Sequence, residues 1–430
     1  MKNTSFRYLA LVGMAGAVLN VAIIRSEDMS LLVALLGIIL FAIVSKKFQM
    51  PATSNPVLLL AILLFLIMLM YRVMFDILEV QLYIVNDLQA RKKVVFYGGL
   101  LIQSLMIGAI IGFFVVRKKR YVSYSINFNR PSFKYLLTIA WLPVVANLVL
   151  YLFFFRGRAY VDIHTMGNGY IGLMLKSIYL TYGSIILMAI GSYSDDKAFR
   201  AAKWLFFGFI VIYGALLNLR SPLLLITLLF MYFFGQRFTT RKLVTSMLFL
   251  ILMFSIIGLI RDQSYAEGGK VIAIIEPVFG LGEFADALRF AIERSDVVSP
   301  LWGAGIAGSF FGITEPLANI YAKIIAPDYF ASGGGFGFFI LADLILNFGL
   351  LGSTLVLFIL GLIFVRQYYS NGFIIPHVFL PVLFANMFAL VRNDIGTTFR
   401  GIVYTLISVI LIKCVWSLIP TLSTRKNILR

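Results

Sequence analysis

Asp343 and Asn347 stand four residues apart in an apolar run that ends in Phe348-Gly349 and begins at Gly333-Gly334-Gly335-Phe336-Gly337. A carboxylate inside such a run is costly to hold in lipid, and an ionisable residue there marks a functional site by default. The glycines let backbone approach a ligand closely or re-enter sharply. The competing reading for Asp343 is an ion pair with an arginine of a neighbouring helix, such as Arg392 or Arg400. Those two bracket Arg392-Asn393-Asp394-Ile395-Gly396-Thr397-Thr398-Phe399-Arg400, which brings more charge to the same face. A second carboxylate, Glu283, opens the stretch Gly282 to Arg294. At about 100° per residue, Glu283, Asp286, Arg289, Glu293 and Arg294 share one helix face, opposite Phe284, Leu288 and Ala291. Asp286–Arg289 and Arg289–Glu293 have the spacing of ordinary helix ion pairs; Glu283 has no such partner. A third polar segment is Arg156-Gly157-Arg158-Ala159-Tyr160, followed by Asp162 and His164.

These residue types suit one kind of chemistry. Guanidinium is a planar five-donor fork that matches phosphate and carboxylate. Arg156, Arg158, Arg220, Arg261, Arg392 and Arg400 all fall at or near the ends of apolar runs on one face. Each can snorkel to lipid headgroups. As a set they favour an anion site, and a lipid-linked diphosphate is the anion that lives at that depth. No metal is called for: the single cysteine, Cys414, and the two histidines form no ligand spacing. No cofactor is expected.

The elements that must position these groups are membrane helices. The chain has 430 residues, 61% apolar and 13% charged, against about 45–50% and 25% in soluble domains. The fold expected is all-α, a polytopic transmembrane bundle of about twelve spans. The spans fall near 5–24, 29–44, 56–78, 94–116, 135–155, 171–191, 204–218, 222–235, 243–260, 336–364, 374–391 and 399–418. The first run lacks a signal-peptidase pattern and is read as a retained span. One integral membrane domain, 1–430, is expected, with a long extracytoplasmic loop, 261–335, between the ninth and tenth spans. A loop of about 75 residues is far beyond the usual connection and is functional or disordered. This one is too apolar to be disordered, since it contains Val271-Ile272-Ala273-Ile274-Ile275 and Gly308-Ser309-Phe310-Phe311-Gly312. It is expected to carry short amphipathic helices packed on the membrane surface.

Basic residues orient the bundle. The side holding both termini carries about 20 and the other about 14, so the termini are placed in the cytoplasm. The net charge of +18 is scattered over short loops, which argues against a nucleic-acid partner.

The arrangement resembles the Wzy-type O-antigen polymerases, the family that polymerises oligosaccharide repeat units. The resemblance rests on about twelve spans, a long loop after the ninth, Gly334-Gly335-Phe336-Gly337 leading into Asp343-x3-Asn347-Phe348-Gly349, and Arg392-x-Asp394 before the last span. It covers about residues 210–405. Where the family commonly has Glu, this chain has Asp343. The resemblance implies a glycosyltransferase of the bacterial inner membrane, acting on the periplasmic side. Its substrate would be an undecaprenyl-diphosphate-linked oligosaccharide, and its partners membrane lipids and a chain-length regulator protein. It further implies that Arg156 and Arg158, and Arg261, Arg289 and Arg294 in the long loop, bind diphosphate or glycan, beside Asn347 and Asp394. Arg220, Arg261, Arg392 and Arg400 are assigned to the diphosphate, Asp343 to the general base, and Glu283 as its alternative. A flippase for lipid-linked oligosaccharides would have a similar span count, with Arg72 and Asp76 in the third span as its support. It should also have charges through the depth of the bundle and two similar halves, and no repeat is visible. An O-antigen ligase is expected to use a His in the long loop, and 261–335 contains none.

Overall fold

The computed structural model describes residues 27–47, 55–72, 88–115, 141–147, 178–191, 285–295, 300–325, 338–368 and 378–428, with a few single positions between. Every regular element among them is helical, and none is a strand. In chain order they are α1 (Glu27–Lys47), α2 (Pro56–Arg72), α3 (Leu88–Val115), a short helix at 141–147, α4 (Ile178–Gly191), α5 (285–295), α6 (Ala304–Phe311), α7 (Leu317–Ile325), α8 (Ile340–Tyr368), α9 (Leu380–Ala385), α10 (Met387–Arg392) and α11 (Ile395–Ile428). Four stretches are long and apolar enough to cross a membrane: Met29–Lys46, Arg91–Val115, Ile340–Gln367 and Ile395–Ile412. The chain is a membrane protein, and it is all-helical among the described residues. The expected spans near 5–24 and 243–260 lie outside the described residues, as do nearly all of 204–218 and 222–235.

Two packing units organise what is described. In the first, α3 lies against α1, α2 and, most extensively, α8. The α3–α8 contact is made backbone to backbone. A Cβ on Gly108 would stand 1.9 Å from the carbonyl oxygen of Phe358, and one on Gly361 would stand 2.3 Å from that of Leu105. Lipid tails are as apolar as leucine, so helices in a bilayer gain by close van der Waals contact, which small residues allow. Phe41 and Phe113 fill the space beside it, with ring centroids 5.5 Å apart. In the second unit α4 packs on α11, and α6 crosses the start of α11.

Several polar groups inside these units are paired within the protein, as a dry interior favours. The Asn55 side chain accepts from the Val57 and Leu58 N–H groups at 3.1 and 3.2 Å. Asn before Pro56 is thus the N-cap and first-turn pair that helix starts favour. The Gln103 amide donates to the Ser30 carbonyl (2.9 Å), and the Ser30 hydroxyl to that of Phe96 (2.8 Å).

Two expected spans differ from straight helices. The run near 336–364 becomes α8, which is broken at Gly349, with φ 67° and ψ 179°. That left-handed φ is one glycine adopts without a Cβ clash. The residues 340–348 therefore form a half-helix distinct from 350–368. The run near 374–391 becomes α9 and α10, parted at Asn386, whose side chain donates to the Val382 carbonyl one turn back at 2.8 Å. Such back-bonding competes with the helix ladder and bends it.

Candidate functional site

The half-helix 340–348 carries Asp343 and Asn347 on one face, since residues four apart stack one above the other. Asp343 is 1% exposed. Its Oδ2 accepts from the backbone N–H of Ile395 at 2.6 Å, and its Oδ1 from Asn347 Nδ2 at 2.8 Å. The helix N-terminus of α11 thus fills the place that the competing reading gave to Arg392 or Arg400. A helix start has bare N–H groups and a partial positive charge, both of which suit a carboxylate.

Asn347 performs the same service for a second helix. Its Oδ1 accepts from the N–H groups of Gly305 (3.1 Å) and Ile306 (3.3 Å), in the first turn of α6. The residue preceding α6, Gly303, has no side chain to cap with, so the cap comes from 42 residues away. Asn347 Nδ2 also donates to the Asp343 carbonyl at 2.9 Å. Asp343-x3-Asn347 is therefore a joint on which α6 and α11 both begin.

Asp394 completes the start of α11. Its Oδ1 accepts from the Thr397 N–H at 2.8 Å and its carbonyl from the Thr398 N–H at 3.1 Å. The Phe338 N–H donates to the carbonyl of Arg392, which fastens the end of α10 to the entry of α8. The side chain of Arg392 is exposed beside this joint. Arg400 lies one turn further along α11. Gly396 packs on Ser309 and Ile306 of α6, and Arg400 Nη1 lies 3.0 Å from where a Cβ of Gly312 would be. Tyr179 of α4 closes this side, with its hydroxyl against Gly401 and its ring 5.4 Å from that of Tyr404.

Two hydroxyls at the α6–α11 crossing were not marked by any sequence pattern. Ser309 Oγ and Thr397 Oγ1 are buried without a hydrogen-bond partner among the described residues. Buried polar groups are nearly always paired, and an exception calls for an explanation such as a bound molecule. A guanidinium with two spare hydroxyls nearby is chemistry suited to an oxyanion or a polyol. Among the described residues no three His, Cys, Asp or Glu side chains cluster as metal ligands.

The amphipathic helix of the long loop, α5, packs its apolar face against the protein. Ala285, Leu288, Ala291 and Ile292 are buried, and so is Arg289, from the polar face; Glu293 and Arg294 are exposed. Arg289 is held at 3.0 Å by Asp286 and at 3.2 Å by Glu293. Those are the two helix pairs its spacing allows, and they raise its pKa further despite the opposing effect of burial. Arg294 stacks its guanidinium 4.9 Å from the Phe290 ring centre. Both arginines thus serve the helix itself in this geometry. The Tyr321 hydroxyl of α7 donates to Asp286 at 3.1 Å, and its ring lies 5.8 Å from that of Phe338 at the mouth of α8.

Burial raises the Tyr321 phenol well above its usual value of 10.0, and the neighbouring Asp286 carboxylate adds to this. The phenol stays neutral in the fold while an unfolded tyrosine ionises near pH 10. The stability it lends is therefore complete below about pH 10 and falls as pH rises beyond it. Tyr321→Phe should lower stability by roughly 1 kcal/mol at neutral pH and lack this alkaline decline. Thermal unfolding in detergent at pH 7 and pH 11 reads both effects.

Arg156, Arg158, Arg220, Arg261, Glu283 and the run Ser332 to Gly337 lie outside the described residues. No protein-family model, curated protein or solved structure matches this chain.

Proposed function

We propose that the chain is a membrane glycosyltransferase. It polymerises undecaprenyl-diphosphate-linked oligosaccharide repeat units of a surface polysaccharide, on the periplasmic side of the bacterial inner membrane. The whole bundle in this reading has about twelve spans, with both termini cytoplasmic. The observation that carries the reading is the joint. Asp343, Asn347 and Arg392-x-Asp394, distant in sequence, meet where two helices begin, with Arg392 and Arg400 beside them.

In the reaction, the bond from the anomeric carbon to the diphosphate breaks and the leaving diphosphate keeps the electron pair. A hydroxyl of the acceptor repeat unit forms the new bond and gives its proton to a carboxylate. Arginine forks, Arg392 and Arg400 with Arg220 and Arg261, offset the charge that grows on the diphosphate by preorganised electrostatics. A general base must reach the acceptor hydroxyl. Both oxygens of Asp343 hold donors and the residue is buried, so we assign Asp343 to positioning and the base to Glu283.

Arg392→Ala should cut polymer formation by about a hundredfold or more, the loss typical for removing one charge-stabilising donor, while the protein stays in the membrane. In the host, the surface polysaccharide on a gel should collapse from a ladder to a single repeat unit. A full ladder would remove Arg392 from the site. Loss of every repeat unit would instead point to transport or ligation.

A further inference from the structure

We infer that residues 300–314, within the stretch expected to be loop, are inserted into one leaflet of the bilayer and contact lipid directly. The level of the membrane comes from α8. The 19 residues 350–368 make about 28 Å of helix, close to the roughly 30 Å of a hydrocarbon core. Their exposed apolar side chains, Leu351, Leu355, Ile359 and Ile363, recur every four residues as one lipid-facing stripe, and Arg366 lies at the far end. Leu351, 87% exposed, begins the stripe directly after the break at Gly349. That break therefore marks one boundary of the stripe.

Residues 300–303 sit at this boundary. Pro300 packs on Gly349, Gly303 packs on the Phe348 ring, and the Leu301 N–H donates to the Leu346 carbonyl at 3.1 Å. Trp302 follows in a left-handed conformation, φ 50°, rare for a bulky residue, and is 78% exposed. The helix it opens, α6, reads Ala-Gly-Ile-Ala-Gly-Ser-Phe-Phe, and its one polar side chain, Ser309, is buried. Phe311 and Ile313 are 70% and 80% exposed. Two residues later the surface turns polar, where Glu315 and Lys323 form an exposed ion pair at 2.7 Å. An apolar patch led by tryptophan, continuous with the lipid-facing stripe and bounded by an exposed ion pair, fits the interface of a bilayer. This inference does not depend on the proposed function.

The test uses Trp302 as its own probe. The chain has four tryptophans, so the full-length W141F/W204F/W416F variant leaves Trp302 alone. It is reconstituted in phosphatidylcholine vesicles with brominated acyl chains. The expected result is loss of emission to bromine near the carbonyl end of the chains, weaker loss to bromine deep in the chains, and little quenching by iodide. Strong iodide quenching without a bromine effect would place Trp302 in water and overturn the inference. Protection from both quenchers would place it against protein and overturn it equally. Should that variant fail to fold, Ile313→Cys in a Cys414→Ser background, spin-labelled, gives the same reading. Oxygen should relax the label more than a water-soluble nickel chelate, and the reverse order would refute insertion.

Discussion

Gly108→Leu is expected to be the most damaging single substitution in the described structure. The α3 and α8 backbones touch at this position. Even the first added carbon would stand 1.9 Å from the Phe358 carbonyl oxygen, 2.7 Å from its carbon and 2.9 Å from its Cα. The atoms in the way are backbone, so no rotamer change makes room. Overpacking a well-fitted core costs about 1–3 kcal/mol and occasionally more, and a leucine between two backbones belongs at the upper end. The helices must separate, which also exposes the opposing glycine, Gly361, and the contacts beside it. Thermal unfolding in detergent, with size-exclusion chromatography of membrane extracts, should report a lower midpoint and loss of monodisperse protein. Gly208→Ala is the control, because a Cβ there would meet nothing within 4 Å, and it should behave as the parent. A Gly108→Leu protein as stable as the parent would mean that the two helices do not meet as described.

The second large effect is expected at the joint. Asp343→Ala removes the acceptor of the Ile395 N–H and of Asn347 Nδ2, and a buried donor left without an acceptor costs roughly 1–3 kcal/mol. Asn347→Ala uncaps the first turn of α6 in the same way. The two side chains bond each other, so the double variant should lose less than the sum of the singles, as coupled neighbours do. Hydrogen exchange at 305, 306 and 395 should quicken in the variants that remove each cap. Asp343→Asn separates positioning from catalysis. Its amide oxygen can still accept from Ile395, so a positioning residue should retain part of the proposed polymerising activity while Glu283→Gln loses it. A stable Asp343→Asn protein without activity, beside an active Glu283→Gln, would return the base to Asp343.

Sequence pattern foretold much of this at short range and little at long range. Because lipid selects composition over a whole span, hydropathy placed apolar runs over α1, α2 and α3, though it missed the first six residues of α3. The ion pairs of Arg289 followed from its spacing along one helix. Its burial did not, because that depends on the neighbours of α5, which include α7 through Tyr321. Asp343 stood out by the cost of a carboxylate in an apolar run. Its partner is a backbone N–H 52 residues on, and a backbone group has no letter in the sequence to betray it. The break at Gly349 was hidden for a related reason: Phe348-Gly349 interrupts neither hydropathy nor helical period. Ser309 and Thr397 acquire interest only from the crossing of α6 and α11.

The joint also sets a rule for length. Asp343 and Asn347 serve two helices from one face only because three residues, Leu344, Ile345 and Leu346, separate them. One residue inserted there would turn Asn347 by about 100° around the axis, away from α6, while Asp343 kept its hold on α11. The intervening positions can exchange one apolar side chain for another of similar volume, yet they cannot gain or lose a residue. At this point the chain is a spacer whose count matters more than its spelling.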